Sequence, residues 1–130
     1  MHALTLLYAG PGDEVVFSEN GFLRFKLSAI SCGATPVSAK EINHTTSVDA
    51  LLASVTDRTK VVLLANPNNP TGTYIPTGEL ERLWDGLPRT VLLVIDSAYA
   101  EFVESADYSS GEALVAVSYT HLTLPTNREV

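Results

Sequence analysis

Two short apolar runs, at residues 60–65 and 91–96, limit the possible folds of this sequence more than any other feature. Half-exposed strands alternate apolar and polar residues, whereas unbroken runs are typical of strands covered on both faces of a parallel sheet. Two further β-branched segments, at 14–17 and 35–39, complete a set of four predicted strands. The sequence therefore predicts an α/β fold built on a parallel sheet.

Helical periodicity occupies the intervals between these strands. The predicted apolar stripes are Phe22, Phe25, Ala29 and Ile30, then Val48, Leu51, Leu52 and Val55, then Leu80, Leu83, Trp84 and Leu87. Gly33 is placed to end the first of these helices, and Ser47 and Thr77 are placed to cap the other two. Residues 1–8 resemble the end of an earlier helix. This alternation indicates βαβ units in a doubly wound, mostly parallel sheet with flanking helices.

Composition narrows the classes of function. Fifteen acidic residues against eight basic ones give a net charge of −7, which argues against bulk binding to nucleic acid or to an anionic membrane. A single cysteine, Cys32, allows no intrachain disulfide, and the three histidines lie too far apart in sequence to indicate a metal site. No apolar run is long enough to span a bilayer, and the apolar residues 1–8 lack the basic region that is typical of a signal peptide. We therefore expect a soluble, cytoplasmic protein without a bound metal.

Two polar segments leave the carboxyl ends of the apolar strands, where open parallel sheets bind their ligands. Residues 66–73 hold two asparagines between two prolines, which stiffen the loop. Residues 96–102 begin with Asp96 and place Tyr99 three positions later. Taken singly, the first segment is also typical of an ordinary turn, and the aspartate of a turn cap. Their separation by one helix-sized stretch favours a shared site.

Together these segments resemble the pattern N-P-x-N-P-T-G, strand, D-x-A-Y of the fold type I aminotransferases, which use pyridoxal 5′-phosphate. The resemblance implies that Asp96 pairs with the pyridine nitrogen of the cofactor. It implies that Asn69 and Tyr99 bind the phenolic oxygen, and that the bond between Asn69 and Pro70 is cis. Such residues suit a cofactor that draws electrons into its ring, because a nearby carboxylate keeps the ring nitrogen protonated.

A narrower resemblance, to the histidinol-phosphate aminotransferases, covers nearly all of residues 1–116. It rests on the segments at 10–15, 20–22, 33–37, 65–74, 86–88, 96–102 and 107–108. It implies amino transfer between histidinol phosphate and 2-oxoglutarate, giving imidazole acetol phosphate and glutamate, in a cytoplasmic homodimer of histidine biosynthesis that handles small molecules. Another class I/II aminotransferase, of the aromatic type, and a non-catalytic α/β binding module are the alternatives.

The sequence also departs from the family pattern. The family places a ring over the cofactor near the start of the second helix, and by position that residue is Asn20. Phe22 is an alternative, although its helical stripe favours the core. The Schiff-base lysine of the family follows D-x-A-Y, whereas Lys26, Lys40 and Lys60 all precede it. No residue here is therefore predicted to be catalytic, and the chain as written is expected to lack transaminase activity.

Residues 117–130 do not continue the pattern of the chain. They show neither a helical stripe nor clear strand alternation, and VSYTHLTLPT resembles one reading frame of a sequencing-library adapter. We interpret residues 1–116 as an internal piece of a PLP-binding large domain, without the Gly-Ser phosphate loop and the later arginines of the family. Residues 117–130 are interpreted as a non-native tail, with a genuine loop and strand as the alternative.

Overall fold

The computed structural model describes residues 1–116 and 121–124. In chain order its strands are β1 Glu14–Ser18, β2 Thr35–Ala39, β3 Glu41–Ile42, β4 Thr45–Thr46, β5 Thr59–Ala65, β6 Leu92–Asp96 and β7 His121–Leu124. Its helices are α1 His2–Tyr8, α2 Leu23–Ser31, α3 Val48–Ala53, α4 Thr77–Gly86 and α5 Glu112–Ala116, with a 3-10 turn at Ala100–Phe102.

The main sheet is parallel, with strand order β2-β1-β5-β6-β7 in the described part of the chain. The chain runs from β1 outward to β2 and then returns to place β5 on the other side of β1. Loops that leave β1 and β5 therefore diverge at the carboxyl edge of the sheet. Such a switch point opens a crevice, which is where ligands bind in folds of this kind.

The sheet is covered on both faces, as the apolar runs predict. One face joins strand residues such as Val16, Val62 and Leu93 to helices α3 and α4. The other joins residues such as Val15 and Leu63 to α1 and α2. Successive side chains of a strand thus point to opposite faces of the sheet, and the side chains on both faces are apolar because both faces are buried. The predicted α/β class with a parallel sheet and flanking helices is confirmed.

Helix ends follow the predictions in two of three cases. Gly33 follows α2 with a φ of +79°, a conformation that favours glycine. The Ser47 hydroxyl accepts a bond from the Ala50 N–H (3.2 Å) at the start of α3. The third prediction is wrong, because Pro76 is the N-cap of α4 and Thr77 is its first residue. Ile30, predicted on the buried stripe of α2, is instead 53% exposed.

A small antiparallel hairpin was not predicted. Strands β3 and β4 are joined by Asn43 and His44, which both have positive φ, 51° and 58°. Two such residues form the tight turn that matches the twist of a hairpin, and asparagine tolerates this conformation well. The hairpin lies beside the crevice, where it contacts the loop after β5.

The segment interpreted as a non-native tail, for which a genuine loop and strand was the alternative, contains the strand β7. Residues of β7 pair with β6 in parallel register, Leu93 with His121 through Asp96 with Leu124. Leucine and threonine are compatible with extended structure, and β6 offers an edge on that side. The rest of the predicted tail, residues 117–120 and 125–130, lies outside the described residues.

Candidate active site

A hollow of about 190 Å³ opens at the carboxyl edge of the sheet. It is lined by Phe22, Ala65, Pro67, Asn69, Asp96, Ala98 and Tyr99. These residues follow or end β1, β5 and β6, whose carboxyl ends meet at the switch point. The three polar residues singled out from the sequence, Asn69, Asp96 and Tyr99, therefore share one concave space.

Asp96 is the acidic group of the hollow. It ends β6 and is half-buried, and its Oδ1 accepts a bond from the Ala98 N–H at 3.1 Å. Its carbonyl accepts a bond from the Asn66 N–H at 3.0 Å, which joins the strand to the neighbouring loop. Within the described residues no lysine or arginine forms an ion pair with Asp96. Burying a carboxylate is costly unless hydrogen bonds or a cation offset the cost.

The loop after β5 is closed at its base by Asn66. This side chain is 1% exposed, and its Oδ1 accepts a bond from the Ile75 N–H at 2.8 Å while its Nδ2 donates to the Ile75 carbonyl at 3.3 Å. The Tyr108 hydroxyl donates to the Asn66 carbonyl at 2.7 Å. The side-chain amide of Asn66 therefore bonds both backbone groups of Ile75, as a paired strand residue would. These two bonds fix the direction in which the loop leaves the strand.

Two cis peptide bonds shape the same loop. The bond between Asn69 and Pro70 is cis, which confirms the prediction, and the bond between Asn66 and Pro67 is cis as well. Nothing in the sequence pattern indicated the second. Both Pro67 and Asn69, which lie between these bonds, face the hollow.

Tyr99 lies at the turn that follows β6. Its ring contacts Phe102 with the centroids 6.1 Å apart. A second hollow, of about 300 Å³, adjoins the first and is lined by Pro67, Asn68, Asn69, Pro70, Gly72, Tyr99, Phe102 and Val103. Asn69 and Tyr99 line both spaces, so an amide and a phenol stand where the two hollows meet.

Phe22 supplies the apolar wall on the β1 side. Its ring packs edge-on against Phe25, with the centroids 6.0 Å apart and the planes at 85°. The turn before it is tight, because the Gly21 N–H donates to the Ser18 carbonyl at 2.8 Å. A Cβ on Gly21 would lie only 2.8 Å from that carbonyl oxygen, so this turn requires glycine.

The sequence matches a family model over residues 1–124, and the description of that model is aminotransferase class I and II. The chain belongs to the class I and II aminotransferases. It is 59% identical over 116 residues to the histidinol-phosphate aminotransferase of Rhodospirillum centenum, covering 89% of this chain and 32% of that protein. It is 60% identical over 108 residues to the enzyme of the same name from Paramagnetospirillum magneticum, covering 83% of this chain and 30% of that protein.

Solved structures of aminotransferases share the fold. The histidinol-phosphate aminotransferase from Sinorhizobium meliloti, in complex with pyridoxal 5′-phosphate, superimposes with a TM-score of 0.76 at 31% identity, covering 82% of this chain and 29% of that one. A putative histidinol-phosphate aminotransferase from Erwinia carotovora gives 0.86 at 26% identity, covering 96% and 37%. The chain spans about a third of the length of the curated aminotransferases it matches.

One predicted site residue of this aminotransferase chain lies elsewhere. Asn20 does not line either hollow; its Nδ2 donates to Glu41 Oε2 at 2.8 Å and its backbone N–H donates to Glu41 Oε1 at 3.2 Å. Phe22 lines the first hollow instead. Because the turn at Gly21 is tight, the two side chains point in different directions. That of Asn20 faces the hairpin, and that of Phe22 faces the crevice.

The lysines of the chain lie away from the hollow. Lys40 forms an exposed ion pair with Glu19 at 2.9 Å. Lys26 is exposed on α2, and Lys60 lies near the amino end of β5, at the opposite edge of the sheet.

In the part of the chain that the structure describes, no three His, Cys, Asp or Glu side chains are grouped to hold a metal ion. No helix there is both long and apolar enough to cross a bilayer.

Three supporting residues were missed by sequence reasoning: Asn66, Asn68 and Tyr108. Asn66 and Asn68 are nearly fully buried, at 1% and 5% exposure. The available signal was their position directly after a buried strand, because buried amides must find partners and therefore organise the backbone around them. Burial raises the pKa of Tyr108 to about 12, so this phenol remains a neutral donor at physiological pH.

Proposed function

We propose that the hollow binds the ring of pyridoxal 5′-phosphate and that the chain forms part of a histidinol-phosphate aminotransferase. The observation that carries this proposal is the convergence of Asn69, Asp96 and Tyr99 on one hollow at the carboxyl edge of a parallel sheet. The names of the two curated relatives, which are 59% and 60% identical to this chain, support histidinol phosphate rather than an aromatic amino acid as the amino donor.

The residues present fit the cofactor chemically. Asp96 offers a carboxylate that holds a proton on a ring nitrogen, and the bond from Ala98 keeps that carboxylate in place. Asn69 and Tyr99 bind a phenolic oxygen without adding charge. Phe22 and Ala98 provide apolar contacts for a flat ring. When bound, pyridoxal phosphate supplies an electron sink for a carbanion formed on the substrate.

The rest of the assignment rests on the family resemblance of the sequence. The complete enzyme would transfer the amino group of histidinol phosphate to 2-oxoglutarate, as a cytoplasmic homodimer that requires a cofactor-linked lysine from outside this chain. Residues 1–116 would be part of its large PLP-binding domain. Residues 117–130 would be a non-native tail, and the DNA of the source genome tests this, since a native reading frame through residue 130 contradicts it.

Cofactor binding is tested with 4-deoxypyridoxine 5′-phosphate, an analogue that has no aldehyde and needs no lysine. Titration of the 130-residue chain, followed by fluorescence, should show saturable binding. Asp96→Asn should weaken it at least about tenfold, because the amide can still accept the bond from Ala98 but has no charge for the ring nitrogen. Asp85→Asn, at an exposed helical position, is the matched control. Equal affinities in all three proteins would contradict the proposal.

The reaction is tested by a chimera. Residues 1–116 of this chain replace the corresponding segment of the Rhodospirillum centenum aminotransferase, which is 59% identical over 116 residues. The chimera should form glutamate from 2-oxoglutarate in the presence of histidinol phosphate. Asp96→Asn in the chimera should reduce kcat. A folded chimera that binds cofactor and accepts only aromatic amino acids would overturn the substrate assignment.

A further inference from the structure

We infer that Asn68 is a positioning residue, whose side-chain amide ties the loop that carries Asn69 to the turn that carries Phe22 and so sets the separation between two walls of the hollow. Its expected effect on cofactor affinity rests on the proposed function. The tie itself is a property of the chain alone.

The amide of Asn68 spans the crevice. Its Nδ2 donates to the Asn20 carbonyl at 3.0 Å and to Thr71 Oγ1 at 2.8 Å, so that both of its hydrogens are used. The first bond joins residues 48 positions apart in sequence. Asn20 is therefore relevant to the site through its backbone carbonyl, two residues before Phe22.

The backbone of Asn68 is held equally firmly. Its N–H donates to the Thr73 carbonyl at 2.8 Å, and its carbonyl accepts a bond from the Gly72 N–H at 2.9 Å. The side chain is 5% exposed. These bonds hold the buried amide in one orientation, and a change in that orientation leaves the buried Nδ2 donors of Asn68 unsatisfied.

A second set of hydrogen bonds links the same loop to the β3–β4 hairpin. Thr71 Oγ1 and Thr73 Oγ1 lie 2.8 Å apart, and Thr73 Oγ1 donates to the His44 carbonyl at 2.8 Å. The loop is thus attached both to the turn after β1 and to the β3–β4 hairpin. Asn68 is the member of this chain of bonds that adjoins the hollow-lining residues Pro67 and Asn69, yet it does not itself line that hollow.

The chemistry of the tie requires a donor at position 68. The Asn20 carbonyl can only accept, and a carboxylate of the same shape would place an oxygen against it. Asn68→Asp therefore reverses the contact with little change in volume. Asn43→Asp, at an exposed position of the hairpin turn, introduces the same charge as a matched control. Asn68→Ser, which is too short to reach the carbonyl, removes the contact without adding charge and serves if the aspartate variant does not fold.

Two measurements test the inference on the 130-residue chain. By NMR without ligand, Asn68→Asp or Asn68→Ser should shift the ring signals of Phe22 together with the side-chain amide signals of Asn69, and Asn43→Asp should shift neither. By titration with 4-deoxypyridoxine 5′-phosphate, the position-68 variants should bind about tenfold more weakly, while their melting curves remain cooperative.

The outcomes separate the two proposals. Changes confined to residues 66–75, with Phe22 unmoved, would overturn the tie. Wild-type affinity for the analogue in a position-68 variant would overturn its role in the site. If the wild-type chain is folded and does not bind the analogue, the proposed function fails, and the NMR comparison alone then decides whether Asn68 holds the two walls together.

Discussion

At the scale of single residues, the sequence predicted those positions whose place is set by a strand end. Asp96 closes β6 and Asn69 lies in the proline-bounded loop after β5, so both were predictable from motif and topology together. Asn20 and Phe22 could not be distinguished in this way, because a tight turn at Gly21 decides which of them faces the crevice. Such a direction depends on backbone angles that residue spacing does not specify.

Tyr108 gives a prediction on pH. Burial raises its pKa to about 12 from an ordinary value of 10.0. As the pH rises from about 10 toward about 12, the unfolded chain loses this proton while the folded chain keeps it, so the free energy of unfolding falls across that window. Tyr108→Phe has no such proton, and its stability should fall less steeply there than that of the wild-type chain.

Denaturant titrations between pH 8 and 12 provide the measurement. At pH 8 the phenylalanine variant should be less stable by about 1 kcal/mol, because the bond to the Asn66 carbonyl is lost. Tyr8→Phe, at a side chain that is 54% exposed, is the control. Parallel pH profiles for wild type and Tyr108→Phe would show that this phenol does not titrate with unfolding.

At the scale of elements, the four longer strands were predictable from the sequence, and the shorter strands were not. The four predicted strands appear as β1, β2, β5 and β6 with ends displaced by no more than a residue. The two-residue strands β3 and β4 are too short to carry a periodic signal. The strand β7 alternates polar and apolar residues over only four positions, His121–Leu124, which is too short a stretch to distinguish a strand by pattern alone. Its pairing with β6 was therefore not predictable.

The end of α2 provides a prediction at this scale. Gly33 has a φ of +79°, and a Cβ there would lie 3.2 Å from Pro11 Cγ. Gly33→Ala should therefore lower the free energy of unfolding by about 1 kcal/mol or more. Gly78 lies within α4, and a Cβ there would meet no atom within 4 Å, so Gly78→Ala should raise stability by about 0.5 kcal/mol. Chemical denaturation measures both, and a stabilising Gly33→Ala would contradict this account of the helix end.

At the scale of the whole molecule, the helices on one face of the sheet carry exposed apolar surface. Helices α1 and α2 leave large apolar side chains in solvent, among them Leu7 at 78%, Leu23 at 67% and Leu27 at 54% exposure. Apolar surface of this kind promotes association. The net charge of −7 opposes it only weakly in the presence of salt.

We therefore expect the isolated chain to self-associate as its concentration rises. The double variant Leu7→Gln, Leu27→Gln should associate less, with a melting temperature close to that of the wild type, because both side chains are already largely exposed. Sedimentation at several concentrations gives the measurement, with Arg89→Gln, at an exposed position, as the control. A wild-type chain that stays monomeric throughout would contradict the expectation.

The bond from Asn68 to the Asn20 carbonyl also bears on the order of assembly. Its two residues are 48 positions apart, and they can meet only after β5 has returned to lie beside β1. Local contacts cost less chain entropy than distant ones and form earlier. The cavity should consequently be among the last parts of this molecule to mature, which would make ligand capture a reporter of completed folding rather than a trigger for it.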